Sequence, residues 1–545
     1  ENKEVVYICI PCHKNVFLFS NIIFKMKNKF LIGLCLICWL HSCRDKKSEN
    51  IEMPVDRTLV ETYKEKYRPQ YHFTPEKMWM NDPNGLVYHQ GIYHLFYQYY
   101  PDDIVWGPMH WGHAISKDMV HWEQKPIALY PDEHGLIFSG SAVVDLNNTS
   151  GLGSKENPPL VAIYTYHDMK GEKEGALDFQ TQGIAYSLDN GESWVKYDKN
   201  PVILNEGIKD FRDPKVFWHE ETERWILVLV AGDYAQIYNS KNLKEWTLLS
   251  DFGKEVGAHG GVWECPDLFP LKIAETGEEK WVLIISINPG APNGGSGTQY
   301  FIGDFDGTNF TSDQKAPKWL DWGTDNYAGV TYNNVPFGER IFIGWMSNWD
   351  YARNTPTEKW RSAMTLPRNL SLSKINGEFT LLNYPLEGLA SLKQSRIKKE
   401  LNLAPQEKEV INFDNYNQAE ILFQTSGRYF DLTFSNASEE QLVFLFDQEN
   451  EELILDRTSS GQTSFKQTFG DKLHKMPLEN LPSENIEVRI LMDWSSVEIF
   501  INKGQKVMTS QIFPNDPYNV LTFTNLGAEA LSIKDIEISK IEAIW

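Results

Sequence analysis

The chain has 545 residues, of which 41% are hydrophobic and 23% charged, and its formal net charge is −22. This length allows two or three domains with a large core, and the composition excludes a disordered chain. The negative charge argues against nucleic acid and anionic lipid surfaces as partners and favours a neutral or cationic ligand. Aromatic residues reach 13%, which favours β-structure and supplies rings for stacking on sugars, although most such rings pack against one another.

The N-terminal region predicts export. A basic segment at 25–29 precedes the apolar run 30–40, and Ser42 and Cys43 follow. The run is shorter than the roughly 20 residues that a membrane-spanning helix needs, so the order is typical of a secretory signal. Leu40, Ser42 and Cys43 are similar to a bacterial lipobox, which predicts contact with the membrane only through a lipid anchor on Cys43, in the cell envelope and on its periplasmic or surface face. A plain secretory signal is the alternative.

These features divide the N-terminal part of the chain. Residues 1–43 are assigned to an upstream extension and the lipoprotein signal peptide, and residues 44–67, rich in Lys, Glu, Asp and Ser, to a tether. After residue 43 the only cysteine is Cys265, so no internal disulfide is expected in the folded body. The C-x-x-C pairs before it lack the histidines of a zinc site, and no metal is expected.

Residues 68–387 alternate short apolar strands with turns rich in Gly, Asn, Asp and Pro, and no long amphipathic helix interrupts them, which predicts an all-β region. A Ser, an Asx turn and a Trp recur at 116–122, 187–194 and 240–246, with Trp spacings of 72 and 52 residues. These spacings suit four-stranded blades, so we predict a five-bladed β-propeller that forms the catalytic domain. An open β-sandwich with coincidental turns is the alternative.

The character of the chain changes after residue 387. Residues 388–400 are assigned to a linker, because the polar, basic stretch 393–399 is typical of a linker or a short helix. Residues 401–545 contain evenly spaced short strands without helices, which predicts a C-terminal β-sandwich. Its expected role is to pack against the propeller.

Three short acidic motifs carry the chemistry. They are Trp-Met-Asn-Asp-Pro-Asn-Gly at 79–85, Phe-Arg-Asp-Pro at 211–214 and Trp-Glu-Cys-Pro-Asp at 263–267. Retaining glycoside cleavage needs one carboxylate that attacks and one that protonates, about 5–5.5 Å apart. A third acid that holds neighbouring hydroxyls would add stabilisation in the transition state. Each motif alone could be a surface turn, and the signal lies in their order.

Together the motifs resemble the signature of glycoside hydrolase family 32, which comprises invertases, inulinases and levanases. The segment 492–502 is similar to the sandwich module that follows the propeller in that family. The resemblance implies a retaining β-fructofuranosidase without metal or cofactor. It implies that Asp82 is the nucleophile, Glu264 the acid/base and Asp213 the stabiliser of the transition state.

The resemblance also implies a set of substrate contacts around the same pocket. These residues are Trp79, Asn81, Gln98, Trp106, Phe138, Ser139, Arg212 and Trp345. Residues 351–359 match no pattern that indicates a substrate contact, and residues 288–295 are interpreted as a long, flexible loop at the rim of the funnel. The expected partner is a fructan or fructo-oligosaccharide, cut at its non-reducing end, or possibly sucrose.

Other functions stay open at this point. The enzyme could attack fructans internally, as an endo-levanase or endo-inulinase. It could be a five-bladed arabinan or xylan furanosidase that inverts configuration, with carboxylates about 6.5–9.5 Å apart. A non-catalytic sugar-binding lipoprotein is the third alternative. The sequence leaves the preference for β-2,6 or β-2,1 bonds and the oligomeric state undetermined.

Overall fold

The computed structural model describes residues 63–482 and 485–545. The predicted signal peptide, the lipidation site at Cys43 and the predicted tether up to residue 62 lie outside the described residues. The end of that tether packs on the folded body, because Tyr63 stacks on Trp545 at 4.1 Å and Tyr67 is buried against Phe513. Among the described residues, no helix is both long and apolar enough to cross a bilayer.

Each of the first three blades of the N-terminal domain is built from four consecutive antiparallel strands in simple up-and-down order. Blade 1 contains β1 (Met78–His89), β2 (Ile92–Tyr100), β3 (His110–Ser116) and β4 (Trp122–Leu129). Blade 2 contains β5 (Leu136–Val144), β6 (Leu160–His167), β7 (Gln180–Ser187) and β8 (Val195–Lys196). Blade 3 contains β9 (Phe211–His219), β10 (Arg224–Ala231), β11 (Ala235–Ser240) and β12 (Thr247–Phe252).

The last two blades carry additional short strands. Blade 4 contains β13 (Val262–Lys272), β14 (Glu279–Asn288), β15 (Gly297–Phe305), β16 (Phe310–Thr311) and β17 (Lys318–Trp319). Blade 5 contains β18 (Tyr327–Thr331), β19 (Ile341–Met346), β21 (Ala363–Met364), β22 (Arg368–Ile375) and β23 (Glu378–Pro385). The remaining strand of this region, β20 (Trp360–Arg361), pairs in parallel with β1 and so ties the last blade to the first.

The first strand of each blade lines a central channel. Each of these five inner strands contacts the inner strand of the next blade, and β18 contacts β1. Radial closure of this kind leaves few open sheet edges. The predicted five-bladed propeller is confirmed, and the repeated Ser-Asx-Trp segments are the turns between the third and fourth strands of blades 1, 2 and 3.

The C-terminal domain is a sandwich of two six-stranded sheets. One sheet has the order β24 (Lys393–Leu403), β35 (Leu531–Ile541), β26 (Ala419–Thr425), β31 (Ile486–Asp493), β32 (Ser496–Ile501) and β33 (Lys506–Gln511). The other has the order β25 (Lys408–Asn412), β34 (Val520–Asn525), β27 (Phe430–Ser435), β28 (Gln441–Asp447), β29 (Glu452–Asp456) and β30 (His474–Pro477). Alternating burial along β27 and β28 turns their apolar residues into the shared core.

Helices in the described residues are short. The α-helices are Met169–Glu174, which lies between β6 and β7, and Gln467–Gly470. The 3₁₀ turns are Pro336–Gly338, Ala352–Asn354, Glu387–Leu392 and Tyr416–Gln418.

The segment predicted as a linker, 388–400, is ordered instead. Its first residues complete a 3₁₀ turn, and from Lys393 onwards it forms strand β24, which pairs with β35. β24 is an edge strand, and an edge strand rich in lysine resists pairing with other chains. The basic composition that suggested a linker is therefore that of a protected sheet edge.

Buried ion pairs join the two domains. Arg368 of the propeller contacts Asp321 at 3.1 Å and Glu498 of the sandwich at 2.8 Å, and Arg457 of the sandwich contacts Asp325 at 3.0 Å. All of these side chains are at most 1% exposed. We call this set the interdomain ion pairs. They hold the sandwich against the last two blades.

Close backbone contact supports the same interface. A Cβ atom placed on Gly323 would lie 1.9 Å from the carbonyl oxygen of Thr509. Only glycine therefore lets the loop before β18 approach the sandwich so closely. The backbone N–H of Trp322 donates to the carbonyl of Val507 at 2.8 Å, which fixes that approach.

Candidate active site

All five inner strands carry the same irregularity near their first residues. In each of them, two consecutive residues lie opposite a single residue of the next strand, which is the pattern of a β-bulge. The extra residues lie in the pairs Asn81-Asp82, Phe138-Ser139, Asp213-Pro214, Cys265-Pro266 and Ala328-Gly329. A bulge redirects side chains from the sheet face, and here five bulges turn side chains towards one end of the channel.

Asp82 lies in the bulge of β1. Its Oδ1 accepts a hydrogen bond from Asn81 Nδ2 at 2.9 Å, and its Oδ2 accepts one from Ser139 Oγ at 2.7 Å. Burial and the nearby Glu264 raise the pKa of Asp82 to about 6, and the two hydrogen bonds limit the rise because they favour the charged form. Asp82 is therefore ionised near neutral pH and held in one orientation.

Asp213 lies in the bulge of β9 with a left-handed backbone, φ 64°. Its backbone N–H donates to Thr165 Oγ1 at 3.0 Å, and its Oδ2 accepts from the backbone N–H of Cys265 at 3.0 Å. Burial raises its pKa to about 7; Arg212 lowers it, whereas the Glu264 and Asp82 carboxylates raise it. A strained backbone in this position is consistent with a functional residue.

Glu264 comes directly before the bulge of β13. Its Oε1 accepts from Arg212 Nη2 at 3.1 Å, and its Oε2 accepts from the hydroxyl of Tyr327. Burial raises the pKa of Tyr327 well above 10, so this hydroxyl keeps its proton and donates. Arg212 also pairs with Asp210 at 2.7 Å, and its Nε lies 3.9 Å from Asp213 Oδ2, so one guanidinium links three carboxylates of the site.

Cys265 lies among the three acids. Its Sγ is 3.8 Å from Asp82 Oδ2 and 3.6 Å from Asp213 Oδ2. Burial and the adjacent carboxylates raise the pKa of the thiol well above 9, so it stays neutral and adds no further negative charge. The sulfur thus lies between the two aspartates, which come from different blades, and contacts both of them.

The three acids open into one cavity of about 410 Å³. Nine of the eleven residues predicted for the site line it: Asn81, Asp82, Gln98, Trp106, Phe138, Ser139, Arg212, Asp213 and Glu264. The amides and the acids are mostly buried, whereas Trp106 is partly exposed. The cavity therefore combines carboxylates, hydrogen-bonding amides and aromatic rings, which is the lining that a neutral sugar requires.

The other two predicted residues lie behind the wall. Trp79 and Trp345 are fully buried, with their ring centroids 6.1 Å apart. Trp79 Nε1 donates to Asn81 Oδ1 at 2.7 Å and so orients the amide beside Asp82. Trp345 packs on Trp349, which itself faces the cavity.

The sequence motifs did not reveal several further lining residues. These are His167, Glu172, Phe179, Gln180, Asp210, Val262, Asn288, Trp349 and Arg353. Most of them lie in loops or at strand ends, outside the motifs. Tyr327 was also missed, although its position in the fifth inner strand corresponds to that of Glu264 in the fourth. Aligning the starts of the inner strands would have identified it.

Metal binding was not expected from the sequence. In the part of the chain that the structure describes, no group of three or more His, Cys, Asp or Glu side chains is arranged to hold a metal ion.

Comparisons with known proteins agree with this geometry. Residues 72–385 match the model described as "Glycosyl hydrolases family 32 N-terminal domain", and residues 386–540 match "Glycosyl hydrolases family 32 C terminal". A levanase of Bacillus subtilis (strain 168) is 46% identical over 494 residues, which is 89% of this chain and 72% of the relative. An extracellular exo-inulinase of Aspergillus awamori is 40% identical and covers 92% of this chain and 99% of the relative.

Solved structures give the same result. The crystal structure of the exo-inulinase from Aspergillus awamori superposes with a TM-score of 0.81 at 39% identity, covering 89% of this chain and all of that one. A fructofuranosidase variant from Schwanniomyces occidentalis, complexed with fructosylnystose, gives 0.79 at 34% identity and covers 88% and 98%. With both domains matched in order, the chain belongs to glycosyl hydrolase family 32 and is a glycosidase.

Proposed function

We propose that this glycosidase releases fructose from the non-reducing β-D-fructofuranosyl ends of fructans, and also acts on sucrose-type ends, with retention of configuration. The observation that carries the proposal is the meeting of Asp82, Asp213 and Glu264, from three different blades, in one cavity with amide and aromatic walls. The relatives named levanase and exo-inulinase support a fructan as the substrate class.

In the first half of the reaction, Asp82 attacks the anomeric carbon of the terminal fructosyl unit. Glu264 donates a proton to the departing oxygen, so the leaving sugar is released with a restored hydroxyl and a fructosyl–Asp82 ester forms. Arg212 and Tyr327 fix the two oxygens of Glu264, which orients its carboxyl group for this transfer.

In the second half, water replaces the leaving sugar. Glu264, now ionised, takes a proton from the water, whose oxygen attacks the anomeric carbon and frees Asp82. Asp213 accepts hydrogen bonds from the fructosyl hydroxyls, and these bonds strengthen as positive charge develops on the ring. Ser139 and Asn81 hold Asp82 in position for both steps.

Product analysis on inulin, levan and sucrose tests the proposal, with Glu264→Ala as the parallel variant. Early release of fructose alone, lost in the variant, is the expected result and also names the preferred linkage. Early oligosaccharides would show internal attack and an endo enzyme. No release from any fructan would overturn the proposed substrate, and an arabinan assay or a sugar-binding assay would then decide between the two remaining alternatives.

We also propose that the protein is exported and anchored through a lipid on Cys43. Several relatives are named extracellular, which supports export, and the lipobox-like residues before Cys43 support the anchor. Expression of the full chain and of Cys43→Ala in a bacterial host tests this. Activity should move from the membrane fraction to the soluble fraction in the variant, and a wild-type protein found only in the soluble fraction would contradict the anchor.

A further inference from the structure

The segment 351–359, which matched no substrate rule in the sequence, brings a cation to the catalytic cavity. Arg353 lines the cavity, and its guanidinium carbon lies 5.7 Å from the ring centroid of Trp106 and 5.8 Å from that of Trp349. Both distances are within the range of cation–π attraction. Two aromatic rings therefore hold the guanidinium at one side of the site.

The exposure of the lining side chains shows that Arg353 lies at the mouth of the cavity. Asn81, Gln98 and Asp213 are buried at the floor, whereas Arg353 is exposed. An enzyme that removes a terminal sugar inserts that sugar to the floor, and the rest of the substrate must then fill the mouth. Arg353 and the exposed edges of the two rings consequently face the leaving group and not the fructosyl unit that is cut.

The donors of Arg353 are free for a ligand. Within residues 63–482 and 485–545, its guanidinium has no hydrogen-bonding or ion-pair partner. A guanidinium offers five N–H donors in a fixed plane, and sugar hydroxyls accept such bonds while the C–H faces of the sugar pack on neighbouring rings. A neutral saccharide suits this surface.

The loop that carries Arg353 is fixed from below by a second arginine. Buried Arg361 donates to the carbonyl oxygens of Arg353, Thr355 and Thr357, the last two at 2.8 and 3.0 Å. One side chain thus holds three carbonyls of the same turn. The backbone of Arg353 is consequently held in one conformation before any ligand binds.

The sandwich domain anchors the same loop. The hydroxyl of Tyr351 donates to Asp325 Oδ1 at 2.7 Å and accepts from Arg457 Nη2 at 3.2 Å. Arg457 comes from β29–β30 of the sandwich and stacks over Phe469 at 3.8 Å. Tyr351 is two residues before Arg353, so the interdomain ion pairs connect the sandwich to the mouth of the cavity.

We propose that Arg353 binds the sugar next to the scissile bond on the leaving-group side, and that Tyr351 and Arg457 are positioning residues that hold it there. The inference rests on the proposed exo-fructosidase activity and adds the recognition of the leaving group to it. It also gives the C-terminal domain a part in substrate selection beyond stabilising the propeller.

Kinetics with two substrates that differ only in the leaving group test this. One is an inulin-type trisaccharide, and the other is methyl β-D-fructofuranoside, which leaves as methanol and cannot reach the mouth. Arg353→Ala should raise KM for the trisaccharide about fivefold, less than the loss of a buried charge-assisted hydrogen bond would cause, because the guanidinium is exposed. The kcat/KM for the methyl fructoside should stay unchanged, because the floor of the cavity is intact.

Two further variants make the result specific. Asn354→Ala lies on the same turn but does not line the cavity, and it should behave as wild type with both substrates. Tyr351→Phe keeps the ring but removes the anchoring hydroxyl, and it should raise KM for the trisaccharide about twofold, the loss expected for one partly replaced hydrogen bond. Circular dichroism of each variant verifies folding.

Several outcomes would overturn the inference. Equal losses with both substrates in Arg353→Ala would mean that the residue acts on the fructosyl unit or on the fold. No loss with either substrate would mean that it does not contact the ligand. If the wild-type enzyme released fructose from neither substrate, the proposed function itself would fail, and that result differs from both outcomes for the variant.

Discussion

The catalytic cavity and the interdomain ion pairs both bury carboxyl groups, but they treat them in opposite ways. In the cavity, burial and repulsion between the carboxylates raise the pKa of Asp82 to about 6, against its hydrogen bonds, and that of Asp213 to about 7, against the nearby Arg212. Between the domains, burial alone would raise the pKa of Glu498, yet Arg368 and His72 bring it down to about 2. The pKa values of the two regions differ because the cavity holds more acids for each cation, and because each carboxylate between the domains pairs directly with a guanidinium.

This contrast separates two uses of buried charge. Each carboxylate between the domains faces a guanidinium with good geometry, so breaking one pair leaves a buried charge without compensation. Asp82 and Asp213 in the cavity have no such one-to-one pairing, and their raised pKa values are a cost in stability at neutral pH that catalysis requires. Substitutions in the cavity should therefore affect activity more than stability, and substitutions in the interdomain ion pairs should affect stability more than activity.

The largest expected effect is on turnover in the cavity. Asp82→Asn should lower kcat by at least about 10⁴-fold, because the amide cannot form the covalent intermediate. At pH 8 the same variant should have a higher Tm than the wild type. A carboxyl group whose pKa is raised on folding destabilises the fold as pH rises from about 4 through 6, and asparagine removes that charge.

Thermal unfolding at pH 4 provides the control for Asp82→Asn. There the wild-type carboxyl is protonated in the folded state, so the difference in Tm between the two proteins should shrink. A variant that is less stable than the wild type at pH 8 would contradict the raised pKa. Retained fructose release would contradict the assignment of Asp82 as the nucleophile.

The next largest effect is expected on stability, at the interdomain ion pairs. Arg368→Met removes the guanidinium that pairs with buried Asp321 and Glu498 and leaves His72 as the remaining cationic neighbour of Glu498, which should lower the free energy of unfolding by about 3–5 kcal/mol. Urea denaturation measures this loss, and kcat of the folded fraction should stay close to wild type. The stabilisation from Glu498 is present above about pH 4.5 and is lost as pH falls towards 2, because its pKa is lowered on folding.

A double variant separates the contribution of Glu498 from that of Asp321. Arg368→Met combined with Glu498→Gln removes one of the two buried carboxylates that lose Arg368 and should recover part of the lost stability. A double variant that is less stable than Arg368→Met alone would show that the charge on Glu498 is compensated by His72, its other cationic neighbour.

A smaller effect is expected from the hydrogen bond between Ser139 and Asp82. Ser139→Ala removes a donor to the charged form, so the pKa of Asp82 should rise by about half a unit to one unit. Because the nucleophile must be ionised, the acidic limb of the kcat/KM profile should move to higher pH by the same amount. The activity at pH 5 should fall about 3–10-fold, whereas the activity at pH 8 should change little.

Ser141→Ala is the matched control for Ser139→Ala. Ser141 lies two residues further along β5, and its hydroxyl contacts the backbone of β9 instead of Asp82. Its loss should affect stability and leave the acidic limb in place. A shift of equal size in both variants would mean that the pH profile reports the packing of β5 and not the hydrogen bond.

Much of this fold could be predicted from the sequence, because the patterns that indicate its strands, turns and acidic motifs each lie within a short segment. The strand pattern and the repeated Ser-Asx-Trp turns predicted the propeller, and the dense turn residues around Asp82 indicated an irregular segment. What the motifs did not show is that Asp82, Asp213 and Glu264 occupy three different positions around equivalent bulges. Register in a sheet depends on the neighbouring strand, which lies outside the motif.

Other parts depended on long-range contacts. Residues 388–400 looked like a linker because the polar face of an edge strand has the composition of a loop. Arg353 gave no signal, since its role in the structure comes from Trp106, almost 250 residues earlier in the sequence, and from an anchor in the sandwich. Local patterns predict which residues form an element but not which distant residues it meets.

The smallest expected effect tests the repeated turn itself. Ser187 Oγ donates to Asp189 Oδ1 at 2.8 Å and accepts from the backbone N–H of Gly191 at 2.8 Å. Ser187→Ala should cost about 0.5–1.5 kcal/mol in the free energy of unfolding and leave kcat unchanged, because the turn lies at the outer edge of blade 2. If the repeat is structural, Ser116→Ala and Ser240→Ala, in the equivalent turns of blades 1 and 3, should lose similar amounts in urea denaturation. Losses confined to one of the three would mean that the shared sequence plan does not reflect a shared role in the blades.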